Sequence, residues 1–398
     1  MTNNKTKHNS LERLAKIAPI VRGLLAERTG NQDIPYDPVI LKSLTSKEAV
    51  DFAKTEINAE AQRYPAPLTK GKSPPLFLSD VDYNVEPDTL RKQLSDMISD
   101  YSQRHGNKPE IVCLRELGIL YIDREFDVSD SPLRNKVALV TGAAGAIGYG
   151  ICCGLLEKGC HLVATDLPGE KLDSFTADLK QTAGDRVIGI PIDVTDEESV
   201  AGGLESVSLT WGGIDIVVVN AGIPLVSFLK DINLDDFKRL EKVNIEGTFL
   251  TLREIARHFI LQGTGGDVII VSTKNVPSPG AGFGAYSATK AACHQLGRIA
   301  SIELAQYGVR VNMVAPDAVF SEGKYKSGLW EEIGPSRMKA RGLDENGLQE
   351  DYQGRNLLKA KITGRHVSNA VLFFATRQTP TTGATIPVDG GLPDATPR

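Results

Sequence analysis

No apolar stretch in these 398 residues approaches the ~20 that a helix needs to cross a bilayer, so a membrane partner is not expected. Positive charge is not in excess either. Lys and Arg total 45 against 50 Asp and Glu, a net charge of −5, which argues against a nucleic acid partner. Histidine is sparse, six in all and nowhere at ligand spacing, so no metal is expected. His258 and His294 fall within helical patterns and read as surface or core-edge residues. The five cysteines (Cys113, Cys152, Cys153, Cys160 and Cys293) are odd in number and form no regular framework, which reads as reduced thiols. The opening decapeptide MTNNKTKHNS lacks the apolar centre of a secretory leader, and the expectation is a cytoplasmic protein. Internal repeats and low-complexity tracts are also missing.

What is present divides near residue 130. Residues 1–130 are polar and punctuated by proline. Helical periodicity covers 11–26, 46–54 and 88–103, and short strands fit 110–113 and 118–122. This reads as a small α+β extension without visible chemistry. Over 131–398 short apolar runs alternate with helical stretches. The runs fall at 136–140, 160–165, 187–192, 214–219, 268–271, 309–314 and 384–388. Parallel neighbours require crossover helices, so the alternation predicts an α/β fold with a doubly wound parallel sheet, the Rossmann arrangement.

The first run leads into TGAAGAIG (141–148) and then a helical stretch. Strand, glycine turn and helix make an anion site, because the helix N-terminus offers free N–H groups and small residues let a pyrophosphate approach. The second run ends at Asp166, which can accept from adenosine ribose hydroxyls and would repel a 2′-phosphate; a helix cap is the plainer alternative. Leu167 and Pro168 follow rather than an arginine, which favours NAD over NADP. Asp193 can reach the adenine edge or cap a turn. Asn220, Ala221 and Gly222 close the fourth run at the sheet edge where ligands of open α/β sheets bind.

Tyr286 and Lys290, in YSATK (286–290), stand one helical turn apart. A free phenol titrates near ~10, and a nearby ammonium would stabilise its anion, so the pair can exchange a hydroxyl proton while a hydride moves. Thr273, thirteen residues earlier, can hold a substrate oxygen. Asn244 can order a water in a proton path to Lys290.

Together these features resemble the short-chain dehydrogenase/reductase family over residues 133–392. The resemblance implies a catalytic tetrad of Asn244, Thr273, Tyr286 and Lys290, and usually a homodimer or homotetramer. It implies a cofactor lying along Gly142, Gly145, Ala146, Ile147, Gly148, Asp166, Asp193, Val194, Asn220, Ala221, Gly222, Tyr286, Lys290, Pro316 and Val319. The sequence departs from the pattern at Ala146, where a glycine is usual, at Thr273, where a serine is usual, and at Asp317 after Pro316, which could crowd the nicotinamide amide. Ser272 is a fallback for Thr273, though on a strand it would face the other way. A narrower resemblance runs through STKN (272–275), APDAV (315–319) and NLL (356–358) to the dehydrogenase half of bifunctional rhamnulose-1-phosphate aldolase/alcohol dehydrogenases. In it, residues 1–130, with PLFLSDVD (75–82), are similar to the end of the aldolase half without its metal ligands: a scaffold, an oligomer contact or an active-site cover.

Residues 317–358 form an insertion that reads as a lid. Its cations Lys324, Lys326, Arg337, Lys339, Arg341 and Arg355, mixed with Glu322, Glu331, Glu332, Asp344 and Glu345, read as solvated surface in preference to an anion site. Lys274 and Asn275 adjoin the catalytic strand end and can contact substrate hydroxyls. The expected activity is NAD-dependent hydride transfer on a sugar, polyol or hydroxyaldehyde, free or phosphorylated. The alternative is an NAD-binding sensor or scaffold without turnover, and a lyase reading is opposed by the missing histidine cluster.

Overall fold

The computed structural model describes residues 2–54, 64–68, 73–79, 81–124, 131–321, 325, 327, 330–331 and 334–393. The larger of its sheets is built from seven parallel strands: β1 (Val137–Val140), β2 (His161–Asp166), β3 (Val187–Pro191), β4 (Ile216–Val219), β5 (Gly266–Val271), β6 (Val309–Pro316) and β7 (Thr385–Val388). Their spatial order is β7-β6-β5-β4-β1-β2-β3. The direction of winding reverses between β1 and β4, which opens a crevice beyond the carboxyl ends of those strands.

The apolar runs form strands because both faces of the sheet are covered. Along β1 the side chains alternate: Ala138 and Val140 join one core, Val137 and Leu139 the opposite one. On the first face α1 (Ala146–Glu157) packs against α6 (Gly364–Ala375). Glycine lets them touch: a Cβ at Gly150 would lie 2.2 Å from the carbonyl carbon of Gly364. That close approach outweighs the low helix propensity of glycine. α2 (Glu170–Ala183) completes this face. On the other face lie α3 (Glu197–Trp211) and α4 (Gly247–Gln262), and α5 (Gly284–Glu303) packs beside β6.

The N-terminal unit has its own four-stranded sheet, ordered Ile40–Leu44, Gly118–Asp123, Ile111–Leu114, Leu76–Leu78. The helices expected over 11–26, 46–54 and 88–103 are Thr2–Leu25, Lys47–Lys54 and Pro87–His105. The strands Ile40–Leu44 and Leu76–Leu78 were not expected; the latter has only three residues, too few for periodicity to mark. The long N-terminal helix packs on α3 and α4, and Leu209 and Leu261 join the core formed by Leu14, Ile17 and Val21.

A buried ion pair fastens this contact. Arg22 donates through Nη1 and Nη2 to the Asp215 carboxylate at 3.0 and 2.7 Å, and through Nε to the Val39 carbonyl. Asp215 Oδ2 also accepts from the Val137 N–H at the start of β1. A further pair, Arg377 with Asp267 at 2.9 Å, sits beside the loop whose Asp33 carbonyl accepts from Arg377.

His258 is a correction to the sequence reading. It is buried, its Nε2 accepts from the Ile214 N–H, and burial pushes its pKa down to about 4. His294 is half-buried between Ser272 and Thr385. All five cysteines are free thiols, with Cys153 alone outside the buried class. No helix among the described residues is long and apolar enough to cross a membrane.

Candidate active site

The crevice at the strand reversal is a cleft of about 810 Å³. One end is built by the glycine turn between β1 and α1. Gly142 has φ +59°, and a Cβ there would lie 2.8 Å from the Ala221 backbone. Gly148 touches the Ala143 carbonyl, where a Cβ would come within 2.3 Å. These two glycines close the turn. Gly145 differs, because a Cβ there would meet nothing within 4 Å. It borders open space at the first turn of α1, whose N-cap makes no side-chain hydrogen bond. Free N–H groups facing an open cradle fit a dinucleotide pyrophosphate. Ala146 and Ile147 line the same end, and Ala146 is buried, so its methyl is accommodated without narrowing the cradle.

The acidic strand ends line the cleft with part of their valence used. Asp166 accepts from the Ala144 and Leu167 N–H groups at 3.0 and 2.9 Å, so it braces the glycine loop. Asp193 accepts from the Thr195 backbone and hydroxyl, and Val194 beside it faces the cleft. Asn220 donates to the Thr141 and Gly142 carbonyls, tying β4 to the loop. Each carboxylate keeps acceptor capacity, since two oxygens offer about four lone-pair sites.

The other end holds Tyr286, Lys290 and Thr273, all lining the cleft. Lys290 Nζ donates to the Val271 carbonyl at 3.1 Å. Burial holds it below the ordinary lysine range. Burial likewise pushes the Tyr286 phenol up to about 12, against the opposing hydrogen bond from Thr273. The phenol's shift therefore runs opposite to the lowering expected beside an ammonium, because desolvation dominates it. Ser272 turns to His294 Nδ1 at 3.0 Å, leaving Thr273 as the hydroxyl beside Tyr286.

Asn244 is the one expected site residue that does not line the cleft. It lies in a single π-helical turn, Lys242–Glu246, leading into α4, rather than mid-way along a regular helix. Its amide accepts from the Ile223 N–H and donates to the Ile223 carbonyl and the Thr289 hydroxyl. Asn244 Oδ1 and Lys290 Nζ both approach Gly222, where a Cβ would lie 3.1 Å from each. Asn244 thus positions the chain after β4 and the helix carrying Lys290.

The charges of residues 317–358 divide between cleft and surface. Lys324, Lys326, Glu322 and Glu332 lie outside the described residues. Arg337 and Arg355 line the cleft and are half-buried, whereas Arg341, which also borders it, is exposed as expected. Asp317 pairs with Arg355 at 3.0 Å instead of standing free near Pro316. Lys274 and Asn275 line the cleft, and Asn275 Oδ1 is buried without a partner. None of the cleft-lining residues precedes Gly142, so among the described residues the N-terminal unit does not cover the site. Pro316 and Val319 line it as expected. Sequence reasoning missed Lys171, Phe283 and Tyr352, which line it too. Lys171 sits in the first turn of α2, close enough in sequence to Asp166 to have been suspected; Phe283 and Tyr352 carry no motif.

A family model for short chain dehydrogenases matches residues 136–332. The L-2,3-butanediol dehydrogenase of Corynebacterium glutamicum is 30% identical over 264 residues, which cover 65% of this chain and 98% of that protein. The chain belongs to the short-chain dehydrogenase family. It is therefore an oxidoreductase of that type, in a family that binds a nicotinamide dinucleotide. An uncharacterized oxidoreductase of Bacillus subtilis (strain 168), YuxG, is 35% identical over 271 residues. Those residues are 68% of this chain but 39% of YuxG, so the match spans about two-fifths of that relative's length. The crystal structure of sorbitol-6-phosphate 2-dehydrogenase SrlD from Erwinia amylovora superposes with a TM-score of 0.59 at 27% identity, covering 64% of this chain and 98% of that one. As a short-chain dehydrogenase, the chain carries its family's sheet in residues 137–388 and a separate N-terminal sheet before it.

Proposed function

We propose that this short-chain dehydrogenase moves a hydride between NAD and a carbinol or carbonyl of a sugar, polyol or hydroxyaldehyde. The observation that carries the reading is the juxtaposition in one cleft of an uncapped helix N-terminus at an open glycine cradle and a half-buried phenol with a buried ammonium and hydroxyl. The substrate class draws on the similarity to a sorbitol-6-phosphate dehydrogenase and on the polar atoms of Lys274 and Asn275 beside the reacting centre.

Gly142, Gly145, Ala146, Ile147 and Gly148 would hold the pyrophosphate, Asp166 the adenosine ribose, Asp193 and Val194 the adenine edge. Asn220, Ala221, Gly222, Pro316 and Val319, with Tyr286 and Lys290, would hold the nicotinamide half. NAD supplies the hydride acceptor. The chain's own work is proton handling: Tyr286 Oη takes the hydroxyl proton in oxidation and returns it in reduction. Thr273 Oγ1 holds the substrate oxygen, Lys290 favours the phenolate as it forms, and Asn244 positions both sides of Gly222. We further propose that residues 1–130 are a scaffold or oligomer contact, that 131–398 are the catalytic domain with a lid at about 317–358, and that the protein is a cytoplasmic homodimer or homotetramer. Kinship with the dehydrogenase half of bifunctional aldolase/dehydrogenases belongs to the same proposal; its support is a match that takes up 68% of this chain but 39% of a longer relative.

The cofactor choice is testable at Asp166. Asp166→Asn keeps an acceptor for the Ala144 N–H but removes the charge that repels a 2′-phosphate, with Lys171 at the same end of the cleft to receive it. Like charges near a surface repel by a few kcal/mol, so the NAD-to-NADP ratio of kcat/KM should fall by roughly tenfold or more. An unchanged ratio, or an NADP preference in the unaltered chain, would refute this role.

A further inference from the structure

Two cations in the cleft, Lys274 and Arg337, have only more distant carboxylates around them among the described residues: Asp317 and Asp389 near Lys274, and Asp351 near Arg337. Among the described residues no carboxylate lies within ion-pair distance of Lys274 or Arg337, whereas Arg341 pairs with Asp351 and Arg355 with Asp317. Their place is defined by aromatic rings. The Arg337 guanidinium lies 4.6 Å from the Phe283 ring centre and 6.0 Å from that of Tyr352. Arg355 lies 3.9 Å from the Tyr352 ring centre. Two guanidiniums thus flank one ring, and Phe283 stands 6.2 Å from Tyr286. Lys274 adjoins Thr273 on the strand side of the same space. The cations therefore gather at the phenol end of the cleft, away from the open N-terminus of α1.

Burial lowers the pKa of both Lys274 and Arg337, the mark of charges partly removed from water. Cations so placed cost free energy unless an anion joins them. The flanking rings hold the guanidinium planes fixed, which suits the forked recognition of oxyanions. Resting on the dehydrogenase reading above, we propose that Lys274, Arg337 and Arg355 form a receptor for an oxyanion, a phosphate ester or a carboxylate, at the end of the substrate remote from the reacting carbinol. Lys274, Arg337 and Arg355 stand against the Asp317 carboxylate, and the surplus of positive charge matches the double charge of a phosphate ester. The buried, unpartnered Oδ1 of Asn275, next to Lys274 in the chain, would accept from a substrate hydroxyl.

The test sets each hydroxylated compound of an activity panel beside its phosphorylated and carboxylated counterparts. kcat/KM is read for the unaltered chain, for Arg337→Gln and for Lys339→Gln, an exposed lid cation outside the cleft. Separately, inorganic phosphate is titrated by calorimetry into each protein saturated with NAD. One anionic counterpart should be preferred by tenfold or more, and which one identifies the oxyanion. Arg337→Gln should reduce that preference at least tenfold and weaken phosphate binding; Lys339→Gln should preserve the preference. Equal use of charged and uncharged compounds, or a preference that Arg337→Gln leaves intact, would overturn the receptor while sparing the dehydrogenase. If nothing turns over, the dehydrogenase reading fails separately. Calorimetry then decides: phosphate weakened by Arg337→Gln upholds the receptor, and phosphate bound alike by both proteins overturns it.

Discussion

Tyr286→Phe should lower kcat/KM by about 10²–10⁴-fold, the usual contribution of a positioned acid–base group, while leaving NAD affinity and thermal unfolding nearly unchanged. The substitution removes one hydroxyl from a half-buried ring whose packing against Phe283 stays in place. The proton shuttle is lost, together with the hydrogen bond to Thr273. The direction of the phenol's shift adds a pH dependence. Burial pushes Tyr286 up to about 12, so at neutral pH the phenol is protonated. Oxidation needs the deprotonated form to take the hydroxyl proton, and its rate should climb as pH rises into the alkaline range. Reduction uses the protonated form and should hold level through neutral pH. Initial rates in both directions across pH, for the unaltered chain and Tyr286→Phe, check this. A residual rate in Tyr286→Phe within severalfold of the original would remove Tyr286 from the reaction.

Arg22→Ala should destabilise the protein by about 3–5 kcal/mol, the cost of leaving one member of a buried ion pair alone. Arg22 is 1% exposed and meets both oxygens of Asp215, which also receives the Val137 N–H. Removing the guanidinium strands the carboxylate at the base of β1, under the core of the dehydrogenase sheet. Arg22→Met combined with Asp215→Asn should recover much of the loss, because no unpaired charge remains and the acceptor for Val137 survives. Urea unfolding monitored by circular dichroism measures both. A loss below about 1 kcal/mol would mean that the pair behaves like an exposed surface contact and does not fasten the N-terminal unit.

The legible parts of this sequence were those with a local period or a short motif. β1 could be read because alternate residues face two opposite cores, which makes the run apolar throughout, and the glycine turn directly follows it. Tyr286 and Lys290 could be read because one helical turn sets their spacing. Arg22 and Asp215 could not: they lie 193 residues apart, and nothing local signals their pairing. The same holds for the cleft. Arg337 reaches it only through its packing over the Phe283 and Tyr352 rings, so its charge looked like ordinary surface. Asn244 was singled out by its place in the motif pattern, but the π-helical turn that aims its amide at Ile223 leaves no periodic trace.

The most direct test of the central claim is NADH absorbance, followed at neutral and alkaline pH with NAD, then NADP, across free and phosphorylated sugars, polyols and short hydroxyaldehydes, with Tyr286→Phe as control. NAD-dependent turnover that the control abolishes is the predicted result. Tight NAD binding with no turnover of any compound would contradict it, and would make this chain a member of the family that senses or scaffolds with the dinucleotide instead of reacting it.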